Sequence, residues 1–82
     1  MLKEHYISIS TIYIPVKKKK MLRADTVEEL AESIIEIGQK VPIQVRFDGK
    51  RYILVEGLHR LEACKALGEK QITSYIVQAQ KH

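Results

Sequence analysis

The stretch Val55-Glu56-Gly57-Leu58-His59-Arg60 decides the fold of this chain, because a strand pattern meets a helix pattern there. Residues 51–55 have the composition of a β-strand, and residues 58–67 have the apolar spacing of an α-helix. The first turn of such a helix presents backbone N–H groups without intrahelical acceptors, and the helix dipole favours negative charge beside them. The junction therefore predicts an anion site, and the hypothesis that follows is a phosphate site for a nucleotide.

Gly57, His59 and Arg60 are the residues that would build this anion site. A glycine has no Cβ, so its backbone can approach an anion closely. His59 and Arg60 add side-chain donors, and a guanidinium can bind phosphate through two parallel hydrogen bonds. The alternative is structural, with Gly57 as an ordinary N-cap and the two side chains solvated. A single glycine is a weaker signal than a three-glycine dinucleotide motif or a phosphate loop, so the spacing leaves both interpretations open.

Length and composition limit the fold to one globular domain, which we predict over residues 1–82. No apolar run approaches the roughly 20 residues of a membrane span, so no membrane partner is expected. The single cysteine, Cys64, excludes an internal disulfide framework and fits a reducing compartment, which predicts a cytoplasmic protein. One cysteine and three scattered histidines provide no metal-ligand spacing, so no metal site is predicted. The formal charge of +4 permits polyanion binding without requiring it.

Residues 17–24 form a basic segment that we predict to be a loop, after a strand over residues 5–14 that Pro15 ends. The segment opens with consecutive lysines that repel one another and favour solvent, namely Lys17, Lys18, Lys19 and Lys20. Either these lysines contact the phosphates of DNA or RNA, or the segment only increases solubility. No aromatic residues interleave with the lysines, so base stacking is not expected there.

A helix follows, and the capping box Thr26-Val27-Glu28-Glu29 predicts that it opens at Asp25 or Thr26. Gly38 is predicted to end it as a left-handed cap. Ser33 lies near the edge of the apolar face, where it is either an exposed hydroxyl or a hydrogen-bond partner of a ligand. The apolar residues that recur at helical spacing are Val27, Leu30, Ala31, Ile34 and Ile37.

The remaining chain predicts a hairpin, a helix and a last strand. Asp48-Gly49 indicates a two-residue hairpin, in which Arg46 would lie opposite Arg51 and need relief by solvent, an anion or a bulge. The helix after Gly57 is expected to turn Leu58, Leu61, Cys64 and Leu67 toward the core. A strand over residues 71–77 and a polar tail over residues 78–82 complete the chain. This order predicts an α+β fold, a small mixed sheet with a β-hairpin covered by two helices.

Several of these segments carry a family likeness. Residues 33–43 run from a helix through a glycine into a Pro-Ile strand opening, and residues 56–63 contain a Gly-x-x-Arg-x-x-Ala box. With the Ala-Leu-Gly of residues 66–68 and the closing strand, the chain resembles the ParB/sulfiredoxin superfamily. The specific resemblance is to the ParB-like N-terminal domain, also described as a ParB-like nuclease domain, and it covers nearly the whole chain.

This resemblance implies a ligand. In the family the box lies at a helix start and binds nucleotide phosphates, those of CTP in ParB proteins and of ATP in sulfiredoxins. The resemblance therefore implies a nucleoside triphosphate, CTP or ATP, with Mg as its accompanying ion. The residues implied in the contact are Gly57, Leu58, His59 and Arg60 and, as a looser match, Arg23, Thr26 and Ser33.

Two departures from the family pattern limit what is carried over. Sulfiredoxins place a reactive cysteine directly before the His-Arg pair, whereas this chain has Leu58 there. Because leucine has no nucleophile, and because Cys64 is expected to face inward, we reject sulfinic-acid reduction. ParB proteins usually carry a second arginine at the position of His59.

The sequence thus predicts a nucleotide-binding ParB-like module associated with DNA, with plasmid or chromosome maintenance, or with its regulation. Its partners would be a nucleotide and DNA, and a homo-oligomer is left open. The alternative is an enzyme of the same superfamily, a nuclease, an NTPase or a small-molecule phosphotransferase. Glu56 is then the candidate catalytic carboxylate, unless it simply ends a strand. A third hypothesis is a structural domain that has lost its ligand.

Overall fold

The computed structural model describes residues 2–39 and 41–78, and the following elements are those of these residues. The strands are β1 (Glu4–Ser8), β2 (Ile12–Tyr13), β3 (Ile43–Phe47), β4 (Tyr52–Glu56) and β5 (Gln71–Ile76). The helices are α1 (Val16–Lys19), α2 (Ala24–Ile37) and α3 (Leu58–Ala66), and a 3-10 turn, Ile9–Thr11, separates β1 from β2. The α+β fold class predicted from the sequence is confirmed.

The five strands form one mixed sheet in the order β1-β5-β3-β4-β2. β1 pairs with β5 and β3 pairs with β4 in antiparallel fashion, whereas β3–β5 and β2–β4 are parallel pairs. β3 is the central strand, and its residues Ile43 and Val45 are fully buried. The end of β4, where the strand passes into α3, therefore lies next to the middle of the sheet.

α3 packs its apolar face into the core. Leu58, Leu61 and Cys64 are buried as predicted, while Leu67 follows the end of the helix and is half-buried. α2 lies mainly against α3, and none of its side chains is fully buried. The buried core cluster consists of Ile7, Ile9, Ile12, Ile14, Ile43, Val45, Leu54, Leu58, Leu61, Cys64 and Ile72.

The prediction of one continuous first strand was wrong. The chain forms a 3-10 turn at Ile9–Thr11, where the Thr11 hydroxyl donates to the Ser8 carbonyl oxygen over 2.7 Å. Hydroxyl side chains compete in this way for backbone partners and interrupt a ladder. The Ile9 N–H also donates to the Lys70 carbonyl over 2.9 Å. The break lets β1 pair with β5 at one edge of the sheet and β2 pair with β4 at the other.

The prediction that residues 17–24 are a loop was wrong at its start, because Lys17, Lys18 and Lys19 belong to α1. The Lys18 and Lys19 N–H groups donate to the Pro15 carbonyl over 2.9 and 3.1 Å. A helix turns by about 100° per residue, so successive lysines point in different directions and their repulsion falls. The lysine charges would favour a loop only if all of them lay side by side.

The predicted start of the long helix was also wrong. α2 begins at Ala24 with Arg23 as N-cap, and its N-cap makes no side-chain hydrogen bond, so the capping box does not form. Instead Asp25 Oδ1 accepts the Thr26 N–H over 2.9 Å. The Arg23 guanidinium and this N–H lower the pKa of Asp25. Gly38 ends α2 with a φ of 77° as expected, although its ψ of 172° lies outside the left-handed helical region.

The hairpin has a longer loop than predicted. Phe47 pairs with Tyr52, so residues 48–51 form the loop, and Arg46 lies opposite Ile53 rather than Arg51. Asp48 organises this loop, because one of its carboxylate oxygens accepts the N–H groups of both residues 50 and 51 over 2.9 Å. The like-charge clash inferred from a two-residue turn is therefore absent from this hairpin, since its loop absorbs two further residues.

Candidate functional site

The junction between β4 and α3 has the geometry that the sequence predicts. Glu56 ends β4, Gly57 is the N-cap of α3, and the helix begins at Leu58. Gly57 has a φ of 108°, and a Cβ at this position would lie 2.5 Å from Ile43 Cγ2. Gly57 has no room for a side chain, because its backbone packs against the buried Ile43. Core packing therefore requires glycine here, whether or not an anion binds.

The first turn of α3 has free backbone donors. The first hydrogen bond of the helix runs from the Leu61 N–H to the Gly57 carbonyl over 2.9 Å. The N–H groups of Leu58, His59 and Arg60 precede this bond, and residues 2–39 and 41–78 provide them with no acceptor. Three unpaired N–H groups at the positive end of a helix dipole are the requirement for an anion site.

A cavity of about 300 Å³ covers this helix end. Its lining includes three residues whose side chains can donate hydrogen bonds, Lys18, His59 and Arg60, and one acidic residue, Glu56. Apolar atoms come from α3, α2 and the segment between α1 and α2. The complete lining is Lys18, Met21, Leu30, Glu56, Gly57, Leu58, His59 and Arg60.

His59 joins two helix starts. Its Nε2 accepts the backbone N–H of Arg23, the N-cap of α2, over 3.0 Å. An accepting Nε2 leaves Nδ1 as the ring's donor in the neutral imidazole, so the ring has one donor for a ligand instead of two. The Arg23 side chain turns to Asp25, 3.3 Å away, in an exposed ion pair. Arg23 therefore approaches the site through its backbone.

The structure brings together one part of the predicted site. Gly57, Leu58, His59, Arg60 and the candidate carboxylate Glu56 all line the cavity, while Thr26 and Ser33 on α2 do not. Thr26 and Ser33 stay predictions. Lys18, predicted as a nucleic-acid contact, lines this cavity, and Met21 and Leu30 line it without having been predicted. No local pattern could have found these three, because α1 and α2 bring them to a helix that follows far along the chain.

Cys64 is buried, with only 1% of its surface exposed. Burial raises the pKa of its thiol, and Sγ lies 3.8 Å from Gln39 Oε1 as a hydrogen-bond donor. Reactive cysteines are thiolates in accessible, electropositive surroundings, and Cys64 has neither property. The inward orientation expected from the sequence is confirmed, which supports the rejection of sulfinic-acid reduction.

In the part of the chain that the structure describes, no three His, Cys, Asp or Glu side chains lie close enough together to hold a metal ion. None of the helices in residues 2–39 and 41–78 combines the length and the apolarity that a membrane crossing requires.

The family model of the ParB N-terminal domain matches residues 2–82. The chain belongs to this family. Over 62 residues, this ParB N-terminal domain is 40% identical to the probable chromosome-partitioning protein ParB of Campylobacter jejuni subsp. jejuni. The alignment covers 76% of the chain and 22% of that protein, so the domain spans about a fifth of its relative's length.

Two solved structures share the fold of this ParB N-terminal domain. Sulfiredoxin from Arabidopsis thaliana is 30% identical with a TM-score of 0.84, over 94% of this chain and 86% of that chain. The C-terminally truncated chromosome-partitioning protein ParB from Caulobacter crescentus, complexed with CTP-gamma-S, is 24% identical with a TM-score of 0.82. That match covers 96% of this chain and 46% of the other, and it concerns the fold alone. The predicted resemblance to the ParB/sulfiredoxin superfamily is confirmed.

Proposed function

We propose that this domain binds a nucleoside triphosphate, CTP or ATP, with its phosphates at the N-terminus of α3. One observation carries the proposal, the three unpaired N–H groups of Leu58, His59 and Arg60. The residues that bear them line a single cavity together with Lys18, and Arg60 itself has a guanidinium. Backbone N–H groups, a guanidinium that can donate two parallel hydrogen bonds and an ammonium charge are together complementary to a polyphosphate.

The rest of the cavity fits the other parts of a nucleotide. Met21 and Leu30 supply apolar surface on the side of α2, against which a base or ribose can pack. Glu56 lines the same cavity and would repel a bare polyphosphate. A magnesium ion on the phosphates would remove this repulsion, because Mg²⁺ is commonly held by phosphate oxygens and one or two carboxylates. The proposal therefore includes Mg²⁺ as a companion of the nucleotide.

A role in chromosome or plasmid partitioning is supported by the Campylobacter jejuni relative, which is a probable chromosome-partitioning protein. A ParB of this fold has been solved with CTP-gamma-S, which supports CTP as the first nucleotide to test. DNA would be the second partner, contacted by those lysines of α1 that face solvent. Cytoplasmic localisation and homo-oligomerisation stay predictions of the sequence.

Calorimetry with CTP, ATP and GTP, each with and without magnesium, tests the proposal. Arg60→Ala removes charge-assisted hydrogen bonds worth about 1.5–3 kcal/mol, so we expect affinity to fall by roughly tenfold or more. Arg46→Ala is the matched control, because it removes the same group from β3, away from the cavity lining. Absence of binding by the wild-type domain at millimolar nucleotide would contradict the proposal.

Glu56 gives an enzyme as the second candidate function, because this carboxylate lines the same cavity as the free amides. A carboxylate beside a phosphate site can act as a general base or hold a catalytic metal. The test is nucleotide turnover or DNA nicking by wild type and by Glu56→Gln, which keeps the shape of the side chain. Activity that persists unchanged in Glu56→Gln would rule out this assignment, whereas the binding proposal would be unaffected.

A further inference from the structure

The charges of the domain are segregated. α2 contains five acidic side chains and neither lysine nor arginine, whereas the whole chain has 14 basic and 10 acidic residues. The chain outside α2 therefore has 14 basic and five acidic residues. A surface that binds a polyanion is expected away from α2, where the field is positive.

The end of the β3–β4 hairpin, opposite to the nucleotide cavity, concentrates basic and aromatic residues. The sequence there, Arg46-Phe47-Asp48-Gly49-Lys50-Arg51-Tyr52, contains three cations and two aromatic rings. Its acidic residue is already engaged, because Asp48 accepts two backbone N–H groups and lies 3.7 Å from Arg51 Nε. These bonds order the loop, and within the described residues Arg46 and Lys50 keep their charges without an ion pair.

Exposed rings lie on both faces of this hairpin end. On one face the Arg51 guanidinium lies 3.8 Å from the centroid of the Tyr13 ring, and Tyr13 is 38% exposed. Sheet register puts Tyr13 beside Ile53, and Ile53 beside Arg46. On the other face Phe47 is 52% exposed and packs on Tyr52 with ring centroids 5.1 Å apart. Phe47 lies outside the core cluster, so the core does not account for it.

We propose that this hairpin-end surface, formed by Tyr13, Arg46, Phe47, Lys50 and Arg51, binds single-stranded nucleic acid. Unpaired bases stack on exposed rings and on guanidinium planes, while cations between the rings neutralise phosphates. A duplex keeps its bases stacked internally and cannot use the rings. The surface is separate from the nucleotide cavity, since the two lie at opposite ends of β4, about 13 Å apart along the strand.

Stacking is tested by fluorescence anisotropy at low salt. The three labelled probes, each about 16 nucleotides long, are poly-dT, poly-U and a duplex. Phe47→Ala and Tyr13→Ala should each weaken binding of the single strands by about fivefold or more. The matched controls Phe47→Tyr and Tyr13→Phe keep a ring and should bind as wild type does. Tighter binding of either poly-dT or poly-U than of the duplex supports the proposal.

The phosphate contacts are tested by salt dependence. Each phosphate contact on a single strand contributes about 0.7 to the slope of log affinity against log salt, so Arg46→Ala/Lys50→Ala should lower the slope by about 1.4. Lys3→Ala/Lys70→Ala is the matched control. These lysines adjoin β1 and β5, which lie toward the opposite edge of the sheet from β4 and β2. The proposal would be overturned if both double variants lowered the salt slope equally, or if the duplex bound as tightly as the single strands. It would also be overturned if Phe47→Ala left the affinity unchanged, or if the wild-type domain bound no single strand at low salt.

Discussion

Gly57 occupies a position where backbone conformation and core packing both exclude a side chain. Its φ is 108°, and an added Cβ would lie 2.5 Å from Ile43 Cγ2. Gly49 has a similar φ of 100°, but nothing lies within 4 Å of an added Cβ there. Alanine at position 49 would therefore meet only an unfavourable backbone conformation, whereas alanine at position 57 would also clash with Ile43.

We expect Gly57→Ala to destabilise the domain by about 2–5 kcal/mol, the sum of a left-handed backbone and an overpacked core. Gly49→Ala should cost only the conformational part, about 1–2 kcal/mol. The measurement is urea denaturation of both variants against wild type. Equal losses in the two variants would contradict the steric role of Ile43.

At the scale of elements, the start of α2 depends on α3. The Arg23 N–H at the N-cap of α2 donates to His59 Nε2, and the two residues are 36 positions apart in sequence. This bond fixes the beginning of α2 over the cavity that α3 helps to form. A capping box was expected to supply this function locally, but the acceptor is an imidazole from another helix.

Removal of this acceptor should loosen the start of α2. We expect His59→Ala to cost about 0.5–1.5 kcal/mol, the worth of one ordinary hydrogen bond, and to speed amide exchange at Arg23. His59→Gln offers a carbonyl oxygen at a similar distance from the backbone and should retain part of the protection. The measurement is amide hydrogen exchange by NMR. Unchanged exchange at Arg23 in His59→Ala would show that the bond does not hold the helix.

The hairpin loop predicts a pH dependence. The N–H groups of Arg51 and Lys50 lower the pKa of Asp48. A lowered folded-state pKa contributes stability above the unfolded-state value of about 4, and that contribution is lost as the pH falls through the folded-state pKa. Asp48→Asn cannot titrate, so its melting temperature should fall less than that of wild type between about pH 7 and about pH 2.

The matched control for this prediction is Glu4→Gln on β1. Glu4 is exposed, and its carboxylate makes no side-chain hydrogen bond within the described residues. Its replacement should leave the acid dependence close to that of wild type. If Asp48→Asn and wild type lose the same number of degrees on acidification, the loop carboxylate has no stabilising role.

At the scale of the whole molecule, α1 distributes the lysine run over several surfaces. Lys18 lines the cavity at the start of α3, whereas Lys19 lines a neighbouring cavity together with Tyr13. A loop could have turned all four lysines to one DNA backbone, but a helix of four residues cannot. The lysine run is thus divided between different surfaces of the domain.

Neutralising Lys17, Lys18, Lys19 and Lys20 should therefore flatten the salt dependence of duplex binding only in part. Four phosphate contacts would lower the slope of log affinity against log salt by about 3.6, whereas one or two contacts lower it by about 0.9–1.8. We expect the smaller change, measured by anisotropy over a salt series. A loss near 3.6 would mean that α1 unwinds on DNA, and absence of wild-type binding at low salt would remove this role.

The local part of the fold and site was predictable because its determinants are neighbours in sequence. The strand, the glycine and the helix of residues 52–66 follow one another, and the hairpin, β5 and the buried face of α3 have clear periodicity. Leu58, Leu61 and Cys64 are buried as that periodicity requires. The split of the first strand escaped prediction, because it depends on Lys70 and on which strands its two halves pair with.

By itself the sequence determined an α+β domain with a strand-glycine-helix junction, and with it the free amides at the start of α3. Only the tertiary structure decided what surrounds those amides: Lys18 from α1, Met21 and Leu30 beside it, and an imidazole that also holds α2. The physical reason is distance along the chain. Backbone conformation and periodicity are set by residues a few positions apart, whereas a cavity is made by side chains whose proximity exists only after the core has packed.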